Sequence, residues 1–296
     1  MKPLLLFCCC LFPALIIAQK TDKKLQQQIE ALVKDFKGDI GICIHDLKQN
    51  KIVAINADSI FPTASIVKVS IMIGILDKIE KGELQYHQQL IYKDSLLYAG
   101  EDILGSFKDG EKIELSKVMM LMLTTSDNTA SLWLQSLAGG GKRINEIMDG
   151  LGFKYTRVNS QTPGREGNRT IYGWGQTTPG EMQHLMERIV NKDILSVSAS
   201  EKMLRLMSRQ YWDEEAISQI PPGVFIADKN GAVDASRSEI MYVNSNKNPY
   251  ILSVFTKNNK DIGWAKSNEA WVLTRKLSAL LWKYYNPKSK WTAPAK

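Results

Sequence analysis

Residues 61 to 72 read FPTASIVKVSIM, and almost every position from Ile66 to Ile73 is apolar. Pro62 and Thr63 interrupt regular structure, so the run that follows predicts a helix over about 65 to 80. A surface helix keeps its apolar side chains on one stripe, whereas a helix that is apolar in every direction has to be enclosed by other elements. Any fold for this chain must therefore close around this helix, and around the lysine inside it, Lys68.

Ser65 falls in the first turn, where unpaired N–H groups and the helix dipole favour negative charge. Lys68 lies three positions on, so the two side chains share a face. Burial disfavours an ammonium, and a lysine stripped of water can take a proton from a serine hydroxyl. Ser-x-x-Lys is a loose pattern, however, and a lysine whose stem is buried and whose head reaches water fits it equally well.

The flanking segments supply the enclosure. After an amphipathic helix at about 22 to 37, GDIGICIHDL sets Ile40, Ile42 and Ile44 against Gly41, Cys43 and His45, the period of a strand. A turn at Lys48, Gln49 and Asn50 leads into KIVAINA, which predicts a hairpin. Strand character returns in VFIADKNG, EIMYVNS and YILSVFTK, followed by a helix at about 265 to 284. The middle reads as helices at about 65 to 80, 115 to 125, 127 to 138, 141 to 150 and 180 to 191, with an irregular stretch at 153 to 178. This order predicts an α/β protein of the α+β type. An antiparallel sheet is built from both chain ends and flanked by helices, with an all-helical subdomain inserted in the middle. The sheet part covers about 19 to 61 and 200 to 296, the helical part about 62 to 199, and a site is expected where they meet.

Residues 1 to 18 stand apart. Lys2, an apolar run from Leu4 to Ile17 and the small Ala18 have the pattern of a signal peptide cleaved near Ala18, and the run is short of the roughly 20 residues a bilayer span needs. The expectation is a periplasmic or secreted protein with no stable membrane span. Cys8, Cys9 and Cys10 lie in this leader, which leaves Cys43 as the one cysteine of the mature chain and no internal disulfide. Formal net charge is +7, or +6 without Lys2 (37 basic against 31 acidic side chains). The basic residues are interspersed with acids and no aromatic-basic motif appears, which argues against nucleic acid. His45, His87 and His184 lack metal-ligand spacing, so neither a metal nor another cofactor is expected.

Two further polar clusters interrupt apolar surroundings. TTSDNTASLWL sets Ser126, Asp127 and Asn128 between two helices, where their side chains need partners when enclosed. ADKNGAV ends an apolar strand in Lys229, Asn230 and Gly231, a cation beside a glycine that permits close backbone approach. Taken singly, the first is an ordinary helix cap and the second an ordinary turn.

Together, Ser65-x-x-Lys68, Ser126-Asp127-Asn128 and Lys229-Asn230-Gly231, 61 and then 103 residues apart, resemble the motif set of the class A β-lactamases and penicillin-binding proteins. The resemblance runs over essentially the whole mature chain. It implies Ser65 as the acylated nucleophile, Lys68 as a proton acceptor and Ser126 as the relay to the leaving nitrogen. Asn128 would hold the substrate amide, Lys229 would steer a carboxylate and support Ser126, and the N–H groups of Ser65 and Ala232 would form the oxyanion hole. Asp127 is expected to orient its turn.

The chain departs from the family pattern in three places. Asn230 stands where the family has Thr or Ser, which exchanges a hydroxyl for an amide donor. Arg237 is similar to the family's carboxylate-clamping arginine displaced by one position. In class A members a loop before Thr-Thr-Pro carries a glutamate, with an asparagine four residues later, that activates the deacylating water. Here SQTPGREGNRTIYGWGQTTPGEM keeps Thr177, Thr178 and Pro179, but Glu166 is the only acid of the loop and Asn168 follows by two. Glu166 is thus the candidate base. Tyr98, Tyr172 and Trp174 are candidates for the cleft wall.

The resemblance implies a monomeric serine hydrolase that opens β-lactam amides through a Ser65 acyl-enzyme. Two other readings stand beside it: a D-alanyl-D-alanine peptidase or esterase acting on cell-wall peptide with slow deacylation, and a non-catalytic penicillin-binding sensor domain.

Overall fold

The computed structural model describes residues 19–100, 103–245 and 247–293, so the apolar leader lies outside the described residues. Both chain ends contribute to one six-stranded sheet. Its strands are β1 (Lys20–Thr21), β2 (Asp39–Asp46), β3 (Lys51–Ile55), β4 (Phe225–Val233), β5 (Ser236–Asn244) and β6 (Tyr250–Lys257). They lie in the order β1-β3-β2-β6-β5-β4. β1 runs parallel to β3, and the other pairs are antiparallel, with Ile42 opposite Val254 at the seam between the two ends of the chain. The mixed architecture is the one the order of segments predicts.

The helices are α1 (Lys23–Val33), α2 (Val67–Glu80), α3 (Leu115–Met120), α4 (Asn128–Leu137), α5 (Gly140–Gly150), α6 (Glu166–Tyr172), α7 (Pro179–Val190), α8 (Val197–Met207) and α9 (Glu269–Tyr285). Ile42, Ile44, Met241, Val243 and Leu252 pack with residues of α1 and α9 in one core, and Ala227, Ile240, Ile251 and Phe255 join the helical middle in another. The sheet is therefore covered on both faces, and the alternation at 40–45 separates two cores rather than core from solvent. Cys43 and His45 face α7, where His45 meets Gln183 and Glu187. Burial pushes the Cys43 thiol up to about 12, which leaves it no nucleophile.

α2 is buried continuously from Val67 to Asp77, the enclosure its composition demands. Val67, Val69, Ile71, Met72, Ile73, Ile75 and Leu76 are each at most 1 % exposed. Burial at about 1.5–3 kcal/mol per side chain exceeds the several kcal/mol that an enclosed lysine costs. That balance lets the helix carry Lys68 at its centre.

Four features depart from the expected segments. The 153–178 stretch is not irregular throughout: it contains α6 and the short strands Arg157–Val158 and Gly175–Thr177. α8, capped by Ser196 Oγ accepting from Ala199 N at 3.0 Å, is a helix beyond the expected segments. The expected 115–125 helix widens after Met120 into a π-helical turn, Leu121–Thr125. β4 does not end at Lys229–Gly231 but continues through Val233.

On the α9 side of the sheet, Asp228 and Glu239 are diagonal neighbours on β4 and β5, both almost wholly buried. Neither Asp228 oxygen has an N–H partner, and two carboxyls can bond each other only through a shared proton. Burial raises both, Asp228 to about 7 although Glu239 and the Lys229 charge act against the rise. Unfolded carboxyls release their protons near 4. Above that the unfolded state binds fewer protons, so the pair's contribution falls as pH rises through the folded value. Glu239→Gln, whose amide can donate to an ionised Asp228, is expected to melt above wild type at about pH 8 and to converge on it at about pH 5. Parallel pH profiles in thermal melts would show that the pair holds no proton.

Candidate active site

The chain enters the site through Ala64, whose φ of +44° is unusual for a residue with a side chain. A short 3₁₀ turn, Ala64–Ile66, then presents Ser65 at the mouth of α2. One turn inside, the Lys68 amine nitrogen lies 3.1 Å from Ser65 Oγ, 3.0 Å from Ser126 Oγ and 2.8 Å from Asn128 Oδ1, and also within bonding distance of the Ser126 carbonyl. Lys68 is fully buried and does not reach bulk water. The first two motifs thus converge on one amine.

The π-helical turn is what aims Ser126. It ends with Asp127 N bonded to Leu121 O at 3.2 Å, leaving Ser126 left-handed at φ +61°. Asp127 then caps α4 at Ala130 N (2.7 Å) and holds Leu104 N (2.8 Å), so its carboxylate orients the turn. Backbone strain of this kind costs on the order of 1–3 kcal/mol and persists where surrounding bonds over-determine it.

The third motif lies on edge strand β4. A Cβ on Gly231 would sit 2.7 Å from Thr63 O and 2.8 Å from Ser65 N, so only glycine lets the strand approach the nucleophile this closely. The Asp234–Ala235 turn makes Val233–Ser236 the closing pair of the hairpin, so Ala232 is opposite Arg237 in a non-bonded pair and aims its N–H off the free edge. Ser65 N, in a first turn, has no intrahelical acceptor. Ser65 and Ala232 both line the hollows at the nucleophile.

Three residues are placed differently from what the resemblance implies. Lys229 is buried, which lowers its ammonium to about 8, and it donates to Asn230 O (2.7 Å) and Oδ1 (3.3 Å) rather than to Ser126. The Asn230 amide donates to Trp212 O at 2.9 Å. Arg237 is not an open clamp: its fork binds the carbonyls of Val233, Asp234, Ser236 and Gly263, and its guanidinium lies against Trp264 and Trp271 at 4.5 and 4.6 Å.

Glu166 is not brought to Ser65. It is exposed on α6, accepts Gly164 N at 3.1 Å, and lines neither hollow beside the nucleophile. Asn168 is bonded inside the loop to Gln176 Oε1 at 3.0 Å, next to Arg165 Nη2 on the same oxygen at 2.9 Å. The loop is thus braced by amides and one arginine, and presents Ile171, Tyr172 and Trp174 to the cleft.

Two hollows meet at Ser65. One, about 460 Å³, has Tyr98 and Trp174 in its wall, their rings edge-on at 5.2 Å, with Asn128 and Val233 opposite. The other, about 480 Å³, runs past Ser126 and Asn230 to Trp212 and Trp264. Both have the size of small-molecule sites. Trp212 and Trp264 carry no local signature in the sequence; single tryptophans in polar loops reach the site through tertiary contacts alone.

A serine on a helix mouth, an enclosed lysine and a second serine at the junction of a sheet and a helical insert define the serine-hydrolase class. A family model described as the β-lactamase enzyme family matches residues 24–285, and the chain belongs to that family. It is 22% identical to β-lactamase VEB-1 of Pseudomonas aeruginosa, over 96% of this chain and 98% of that protein. In three dimensions it is similar to a point mutant of PBP-A in acyl-enzyme complex with penicillin G, with TM-score 0.80 and 23% identity over 91% of this chain and 98% of that one. A β-lactamase from Chitinophaga pinensis DSM 2588 also gives TM-score 0.80, at 19% identity over 89% and 100% of the two chains. No helix among the described residues is long and apolar enough to cross a membrane.

Proposed function

We propose that this protein hydrolyses β-lactams through a Ser65 acyl-enzyme, with release of the acyl group as the slow step. The observation that carries the reading is the Lys68 amine within 3.1 Å of Ser65 Oγ and 3.0 Å of Ser126 Oγ. Ser65 Oγ attacks the lactam carbonyl as its proton passes to Lys68 in its neutral form. The carbonyl oxygen becomes an oxyanion at the N–H groups of Ser65 and Ala232. The amide C–N bond breaks, and the nitrogen takes a proton from Ser126, which Lys68 replenishes. Asn128 orients the substrate amide.

Release is slow because a deacylating base has to be within about 2.6–3.2 Å of its water, and Glu166 is exposed and held by Gly164 N. The same observation favours a second reading as a D-alanyl-D-alanine peptidase or esterase whose β-lactam adduct is a dead end. The leader at 1–18 supports a place in the periplasm or outside the cell.

Time-resolved intact mass after mixing with penicillin separates the readings. The adduct is expected to accumulate to full occupancy and then decay as penicilloate appears. An adduct that never decays selects the peptidase reading, and the absence of both adduct and hydrolysis would overturn the proposal.

A further inference from the structure

The hollow beyond Ser126 is unusual in what its walls offer. Two indoles stand in it, Trp212 at 49 % and Trp264 at 59 % exposure, although tryptophan carries more apolar area than any other side chain. Each ring is tethered by its N–H, Trp212 to Thr125 O at 2.9 Å and Trp264 to Asp234 Oδ1 at 3.1 Å. Arg237 lies over the Trp264 ring at 4.5 Å, whereas Trp212 has the edge of Tyr211 against it and keeps about half of its surface open at the hollow. Exposed apolar surface that is contiguous and rigid marks a binding surface.

The two carboxylates Glu214 and Glu215 at the same hollow are paired with cations. Lys266 pairs with Glu214 at 2.7 Å, Glu215 with Arg275 at 2.5 Å, and the two terminal nitrogens of Arg237 are taken by four carbonyls while its Nε has no partner among the described residues. The Asn230 amide is on Trp212 O. A flat aromatic arm laid on the Trp212 ring gains contact there and breaks none of these bonds. Ser126, the group beside the amine that can deliver a proton to a departing nitrogen, lines this hollow and not the one beneath Tyr98. The leaving side of a substrate therefore points here.

We propose that this second hollow is a leaving-group subsite that selects substrates carrying a planar aromatic arm on the departing side of the scissile amide, with Trp212 as its specificity-determining residue. The inference rests on the Ser65 acyl-enzyme reading.

The test compares two cephalosporins that share a thienylacetyl side chain, one bearing a dinitrostyryl arm at the 3-position and the other a compact acetoxymethyl arm. Acylation rates are read by mass or absorbance in wild type, Trp212→Ala and Trp212→Phe. Differences in intrinsic reactivity cancel in the ratio of the two rates compared between proteins. Trp212→Ala is expected to lower that ratio about tenfold and Trp212→Phe to keep most of it. A ratio unchanged in Trp212→Ala, or lost equally in Trp212→Phe, overturns the subsite. Binding of free dinitrostyrene to Ser65→Ala protein, followed by tryptophan fluorescence, reads the hollow without any acylation. Saturable quenching that weakens about tenfold when Trp212→Ala is added supports it; unsaturable quenching refutes it. Failure of both cephalosporins to acylate wild type, with saturable quenching retained, would count against the acyl-enzyme reading and not the subsite.

Discussion

Lys68→Met is expected to slow acylation of Ser65 by a β-lactam about 10²–10⁴-fold, the range for losing a positioned proton acceptor. Methionine fills the volume but cannot accept the serine proton or return one to Ser126. Its effect on stability should be much smaller, because two opposing terms nearly cancel. The Ser126 carbonyl and Asn128 Oδ1 lose a donor, at about 1–3 kcal/mol for each buried group left unpaired. Against that, the variant no longer holds a cation in an apolar helix, a penalty of several kcal/mol. The rate of adduct appearance by intact mass, with a thermal melt of the same sample, checks both halves. A rate within a few-fold of wild type would remove Lys68 from the mechanism, and a protein that fails to melt cooperatively would make its role structural.

Gly231→Val carries the second large effect, through backbone rather than chemistry. Its Cβ would meet Thr63 O at 2.7 Å and Ser65 N at 2.8 Å, neither of which can swing aside as a side chain can. The edge strand has to retreat, and Ala232 N–H moves with it. Loss of one oxyanion donor is expected to cost about 10²–10³ in the acylation rate, while the Lys68 contacts to both serines stay as they are. Stopped-flow acylation measures the rate. An unchanged rate would place the oxyanion donors elsewhere.

How far the sequence disclosed this arrangement depends on the range of the interactions concerned. The α2 run and the alternation at 40–45 are local patterns, and both appear as read. So does the pairing of Ser65 with Lys68, since three residues on a helix bring side chains together whatever surrounds them. The meeting of Ser126 with Lys68 was legible only through the resemblance, because it depends on a π-helical turn that no propensity reports. α8 was hidden by VSAS, in which β-branched and small residues mask a well-capped helix. Arg237 and Asn230 show the limit most clearly. Their types suit a carboxylate, but the loops carrying Trp212, Gly263 and Trp264 fold back and occupy them first. Glu166 could be counted along the loop but not placed, because the turn of α6 decides which way it faces.

The most direct test of the central claim is to locate the covalent bond. Wild-type protein quenched after brief exposure to penicillin G and digested with trypsin should carry the full mass of the antibiotic on the fragment containing residues 52–68, with Ser65 as the modified position in fragmentation spectra. Ser65→Ala protein treated in the same way should carry none. Label on any other fragment, or on the Ser65→Ala protein to the same extent, would contradict the assignment of Ser65 as the nucleophile.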